Sequence, residues 1–229
     1  MDLHVPQDAP PDLFITEALE LRPRSPSDYI GEARAIREFA FGMADDPEHA
    51  LPSFVDLALK LTGAVSGGLS LWERSPPPGV FRWRFLRGAL SRFEGATTPR
   101  NFSPCGVTLD RNTTVLTLHP ERVYTWISDA GVEAPEVLLV PLHLNGAEPL
   151  GTLWVVAEHE GYFTRDHAAL LTELAIPVGG VVAQWRSECE AALDASEHPI
   201  RRPRSKDLAG RPYSKGVGSV ASATDGRAC

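Results

Sequence analysis

Apolar residues in the first part of the chain recur at helical spacing, and near residue 69 the period changes to twofold. Ile30, Ala33, Ile36, Ala40 and Met43 follow one another at steps of three and four, which predicts an amphipathic helix from a cap at Ser27 or Asp28 to about Met43. A second helix is expected over 51–62, with Phe54, Leu57, Ala58 and Leu61 on its buried face and Gly63 as its left-handed stop. Leu69 and Leu71 then alternate with Ser70 and Trp72. After a proline-rich turn at 75–79, Phe81, Trp83 and Phe85 alternate with Arg82 and Arg84, so a hairpin with one aromatic face is expected. Val137-Leu138-Leu139-Val140 and Leu153-Trp154-Val155-Val156 are apolar without alternation, as strands buried on both faces are. Asn145-Gly146 between them is a hairpin-turn signal. Thr164 caps a final helix whose stripe is Leu171, Leu174, Val178, Val181 and Trp185, with a kink expected at Pro177.

From 89 to 135 the pattern loosens. Gly, Pro, Ser and Asn are frequent, and only 106–111, 115–118 and 121–127 look regular. A stretch of that length inside a packed domain is usually functional, so it is expected to act as a lid over a site, opposite the helices. The result is an α+β architecture built on an antiparallel sheet. Residues 1–26, with Pro6, Pro10, Pro11, Pro23 and Pro26, read as an extended leader with a short apolar anchor at 13–21. The packed domain is expected over 27–195. Residues 196–229 hold few hydrophobes and read as a disordered tail.

Composition narrows the function classes. The 229 residues are 43% hydrophobic and 23% charged, which fits one packed core and excludes a collagen, a coiled-coil rod or a fully disordered chain. The longest apolar run, 137–144, is interrupted by Pro141 and His143 and falls short of the roughly 20 residues of a membrane span. Residues 1–11 contain no apolar run, so no secretory signal is expected and the chain is placed in the cytoplasm. Cys105, Cys189 and Cys229 are odd in number and far apart, as reduced thiols are. The net charge of -8 argues against a broad nucleic-acid surface. The tail from Ser196 is nonetheless basic, with seven Lys and Arg against three acids.

Leu139-Val140-Pro141-Leu142, the Asn145-Gly146 turn and Pro149-Leu150-Gly151-Thr152-Leu153-Trp154 together resemble the "VPL, turn, xxGxL" hairpin of GAF domains, the small-molecule sensor modules of bacterial signalling proteins. Asn101-Phe102-Ser103-Pro104-Cys105-Gly106, then Leu109-Asp110-Arg111-Asn112 and His119-Pro120-Glu121-Arg122, are similar to the cover segment of GAF modules placed ahead of histidine kinases. The stretch 163–171 is similar to the start of that family's last helix, and the resemblance covers about residues 50–186. It implies a GAF/PAS-like antiparallel sheet with helices on one face and an irregular lid on the other. It also implies a small-molecule ligand, a homodimer through the terminal helices, and output through a partner such as a histidine kinase. The stretch after Ser196 is too short and polar for an output domain, so action on a partner in trans is expected. No cofactor is identified by the residues or by the resemblance.

Cys105 is the sharpest chemical candidate, because a helix start would favour its thiolate. Bilin attachment is disfavoured by Gly106 standing where a histidine is usual in bilin-binding relatives. The resemblance extends to free methionine-(R)-sulfoxide reductases, in which a cysteine beside a glycine attacks the sulfoxide, but no resolving cysteine is evident here. A one-cysteine sensor and a small buried core cysteine remain open as well. Arg111, with Arg100, is read either as an anion-binding pair under the lid or, for Asp110-Arg111, as a local ion pair beside Asn112. Trp83 and Trp154 are candidates for the floor of an apolar pocket, the alternative being a plain core. Ser103, Tyr124 and His143 complete the expected ligand-binding set. His119, His143, His159 and His167 lack ligand spacing, so no metal site is expected. No Walker loop, GxGxxG, GxSxG or paired catalytic carboxylate motif is present, which leaves a non-enzymatic sensor ahead of a thiol-dependent reductase and of a non-sensing dimerisation scaffold.

Overall fold

Six strands form one antiparallel sheet in the computed structural model, which describes residue 5 and residues 9–24, 29–45, 47–144 and 148–197. In chain order the elements are α1 (Ala18–Leu21), α2 (Tyr29–Asp45), α3 (Pro47–Thr62), β1 (Ser66–Glu73), β2 (Val80–Arg87), β3 (Thr97–Pro99), α4 (Pro104–Arg111), β4 (Val115–Leu118), α5 (Thr125–Asp129), β5 (Glu136–Leu144), β6 (Glu148–Ala157), α6 (Arg165–Ala175) and α7 (Val178–Glu197). Short 3-10 segments stand at Gly88–Phe93 and Pro120–Arg122. The chain divides into two units, 1–185 and 186–229, and the second is described only over 186–197, the last part of α7. The turn at Asn145-Gly146 and the basic tail beyond residue 197 lie outside the described residues.

The strand order is β3-β2-β1-β6-β5-β4. The two strands expected to be buried on both faces lie inside the sheet and separate two cores. Leu138, Val140, Leu142, Leu153 and Val155 join Phe54, Val55, Leu171, Leu174 and Val178 on the helix side. Val137, Leu139, Trp154 and Val156 join Phe81, Trp83, Leu109, Tyr124 and Ile127 on the cover side. Strand alternation explains the division, since neighbours in a strand point to opposite faces.

Several expectations are refined. In α2 the buried positions are centred on Ile36, Phe39, Ala40 and Met43, whereas Ile30 is 84% exposed. Helix α3 begins a turn earlier than expected, at Pro47. Phe85 leaves the aromatic face of Phe81 and Trp83: its φ of 57° reverses the alternation, and its ring packs edge-on against Trp185, 5.5 Å between centroids. The ladder shifts register nearby, and the Glu94 carboxylate accepts the N–H groups of Phe85 (3.0 Å) and Leu86 (2.8 Å). The loose segment supplies both edge strands, β3 against β2 and β4 against β5. Its expected regular pieces are α4, β4 and the Pro120–Arg122 turn running on to α5. The final helix breaks at Ile176-Pro177, and the axes on either side differ by 50°. No single helix among the described residues is long and apolar enough to cross a membrane.

The segment 13–19 is an integral part of both cores. Leu13 is buried on the cover side and Leu19 on the helix side. Between them the chain runs along the free edge of β4: Ile15 N–H donates to Leu116 O (2.9 Å), and Leu118 N–H donates to Leu13 O (3.0 Å). Arg22 then reaches Glu136, a carboxylate with no exposure to solvent. Its guanidinium donates to both carboxylate oxygens at 2.8 and 2.9 Å, and the N–H groups of Gly161 and Phe163 donate to the same oxygens at 2.8 and 2.7 Å.

Candidate functional site

The cover closes over the β2, β6 and β5 face through α4. Ser103 caps this helix, its Oγ accepting from Gly106 N–H at 3.1 Å, and Pro104 occupies the first turn, where a missing N–H costs nothing. A Cβ at Gly106 would overlap the carbonyl oxygen of Arg100, so glycine here is what permits the close approach of the two segments. The helix stops at Asn112 in the left-handed region, φ 50°. Arg100 is buried, donates to Gly106 O (3.1 Å) and Asp110 Oδ1 (2.6 Å), and lies over the rings of Trp72 and Phe81 at 5.1 and 5.6 Å.

This anchoring places Cys105 on the sheet, next to the hydroxyls of Ser70 and Thr152. Burial pushes its thiol up, and the contacts with Ser70 and Thr152 and the nearby Arg100 charge pull it down less strongly. The thiol is therefore neutral near pH 7, against the expectation of a thiolate at a helix start. Tyr124, fully buried, has its phenol pushed upward by burial as well.

Between cover and sheet lies a cavity of about 50 Å³. Trp83, Trp154, Leu139, Val137 and Val156 wall it from the sheet, and Pro104, Cys105, Pro120, Trp126, Ile127, Val132 and Ala134 from the cover, with Leu90 at one side. The three indoles stand against one another: Trp83 is 5.7 Å from Trp126 and 5.3 Å from Trp154 between ring centroids.

The sequence-derived candidates thus separate into three groups. Trp83, Cys105 and Trp154 meet in the cavity wall. Ser103, Arg100 and Asp110 hold α4 in place outside that wall, and Tyr124 packs in the surrounding core. Arg111 lies over the Phe14 ring at 5.0 Å. Neither arginine lines the cavity, so the expected anion-binding pair is not assembled there, and Asp110 pairs with Arg100. His143 lines a different cavity, of about 360 Å³, with Asn112, Thr114, Pro141, Thr172 and Ile176. Trp126, Pro120, Val132 and Ala134 are wall residues that the sequence pattern does not single out, because the cover has no periodicity to assign them a face. The one available signal was the apolar cluster Val123, Tyr124, Trp126 and Ile127 within the loose segment.

No protein-family model matches the chain, and no curated protein matches it in sequence. Solved structures do match. The GAF domain of a phosphoenolpyruvate-protein phosphotransferase from Coxiella burnetii superposes with a TM-score of 0.60 at 19% identity, over 72% of this chain and 99% of that one. The free methionine-R-sulfoxide reductase of Neisseria meningitidis, solved with its substrate, gives 0.55 at 19% identity, over 73% of this chain and 98% of the other. The GAF domain of a putative sensor histidine kinase from Pseudomonas syringae pv. tomato gives 0.50 at 16% identity, over 72% and 93%.

Proposed function

Because the chain folds as a GAF domain, we propose that it is a small-molecule-sensing domain of a signalling system, with its ligand held between cover and sheet. The observation that carries this reading is the cavity walled by Trp83, Trp126 and Trp154. A route for output follows from the strands. Val137, Leu139 and Val156 face the cavity, while their strand neighbours Leu138 and Val155 pack in the core that contains Leu171, Leu174 and Val178. An occupant that favours one seating of the cover shifts these strands and, through them, α6 and the start of α7, provided it binds the two arrangements unequally. Homodimerisation through the terminal helices and action on a partner such as a histidine kinase complete the proposal. In support, α2 carries Ile30 and Phe41 on its exposed face, 84% and 72% accessible.

A thermal-shift screen of small molecules tests the sensing claim. A ligand at a hundred times its Kd stabilises by about 2.7 kcal/mol. At least one compound is expected to raise Tm, and to lose that effect when Ala134→Val fills part of the cavity. A screen in which nothing stabilises the protein contradicts the proposal.

The presence of Cys105 in the wall, with the likeness to a sulfoxide reductase, favours a second reading as a thiol-dependent reductase. Two features weigh against it. A free amino acid carries both charges, yet no wall residue is charged, and the thiol is held neutral. Assay of free methionine sulfoxide turnover in wild type and Cys105→Ser decides: activity that disappears with the thiol establishes the reductase, and its absence from both removes it.

A further inference from the structure

The chemical class of the occupant follows from what the cavity wall withholds, and it rests on the sensing site proposed above. No nitrogen or oxygen atom of the wall is open to the cavity. The individual side chains show why. Trp126 Nε1 donates to Phe102 O at 2.9 Å and Trp154 Nε1 to Ser70 Oγ at 3.0 Å, so both N–H groups are engaged outside the wall. Trp83 Nε1 is buried, and that ring meets the cavity through carbon. The Cys105 thiol stands against the hydroxyls of Ser70 and Thr152. Pro104 and Pro120 have no backbone N–H to offer.

Each of these absences excludes a class of ligand. An ion would lose its hydration with no counter-charge in return, since no wall residue is charged and Arg100 is committed to Asp110 and to the Gly106 carbonyl. A hydroxyl, amide or carbonyl group would give up its hydrogen bonds to water and regain none. A nonpolar molecule meets no such penalty and gains dispersion contacts with the three indole rings. Volume sets the size. An apolar cavity of about 150 Å³ accommodates benzene, and this one, at about 50 Å³, is a third of that. It has room for roughly two or three non-hydrogen atoms. We infer that the ligand of this site is a nonpolar molecule of that size without hydrogen-bonding groups, of the light-hydrocarbon class.

Propane, ethanol and ethylammonium share one heavy-atom skeleton and differ only in a terminal methyl, hydroxyl or ammonium group, so they separate the classes. Binding is followed by NMR on the full chain, through the methyl groups of Val137 and Leu139, at equal free concentrations. Propane is expected to shift both with a Kd of about 1 mM, the range open to a ligand of so few atoms. Ethanol is expected to bind at least about tenfold more weakly, and ethylammonium to leave the methyl groups unmoved. The propane response is expected to vanish in Ala134→Val and to persist in Thr172→Val, which alters only the cavity beside His143. A response that survives Ala134→Val places the hydrocarbon elsewhere and overturns the inference. Ethanol binding as tightly as propane, or ethylammonium binding more tightly than either, overturns the ligand class and leaves the sensing site standing. If none of the three moves the methyl groups, the class falls, and the thermal-shift screen decides the site independently: a larger compound that raises Tm, and fails to do so in Ala134→Val, would keep it.

Discussion

Glu136 is a carboxylate shielded from water at the first position of β5, and its neutralisation by Arg22 contributes a measurable share of the stability of the fold. Breaking a buried pair from one side typically costs about 3 to 5 kcal/mol, because the other charge is left without its partner. Arg22→Ala is therefore expected to lower the unfolding free energy by about 3 kcal/mol. Denaturant unfolding measures it, and a loss below about 1 kcal/mol would mean that the Gly161 and Phe163 amides suffice. Nothing in the residue pattern announces this contact. A lone glutamate ahead of an apolar run reads as a solvated strand end, and its partner lies 114 positions away. Trp83, Cys105 and Trp154 were legible by contrast, Trp83 by strand alternation, Trp154 by its place in an unbroken apolar strand and the cysteine by its setting between Pro104 and Gly106.

At the scale of elements, the cover decides whether this is a ligand domain or a plain core. Ala134, between α5 and β5, lines the cavity, so Ala134→Val inserts two methyl groups into open space. The unfolding free energy is expected to stay within about 1 kcal/mol of wild type, whereas overpacking a filled core costs about 1 to 3 kcal/mol. Urea titration distinguishes the two. The elements that the hydrophobic period defines, α2, α3, β1, β5, β6 and the terminal helices, were legible because each buries one stripe or two faces. Those of the cover were harder. β3 is three residues long and ends in Pro99, and β4 shows no more than four apolar-rich positions, so neither carries enough repeats to fix a period. The reversal at Phe85 is likewise invisible in an alternating sequence, since the bulge depends on Glu94, nine residues on, to accept the freed amides.

Across the whole molecule, two histidines give stability opposite dependences on pH. His119 bridges Glu121 (2.8 Å) and Glu160 (2.9 Å), and its hydrogen bond to Glu121, then that to Glu160, raise its pKa. Its contribution is full below the ordinary histidine value of about 6.5 and is lost as pH rises through the raised value. His167 is shifted the other way, chiefly by burial, and its Nδ1 accepts from Thr164 N–H at 3.2 Å. Its contribution is present above about 6.5 and is lost as pH falls through the lowered value. His119→Asn, which suits the left-handed backbone at φ 44°, is expected to flatten the alkaline side of the Tm profile, and His167→Asn the acid side. Unaltered slopes in calorimetry between pH 5 and 9 would show that other groups govern them. The central claim, that the cover closes over a ligand cavity, is tested most directly by solving the crystal structure under xenon pressure. Xenon is expected between the Trp83, Trp126 and Trp154 rings; a cover packed directly onto those rings, with no xenon among them, would contradict the account.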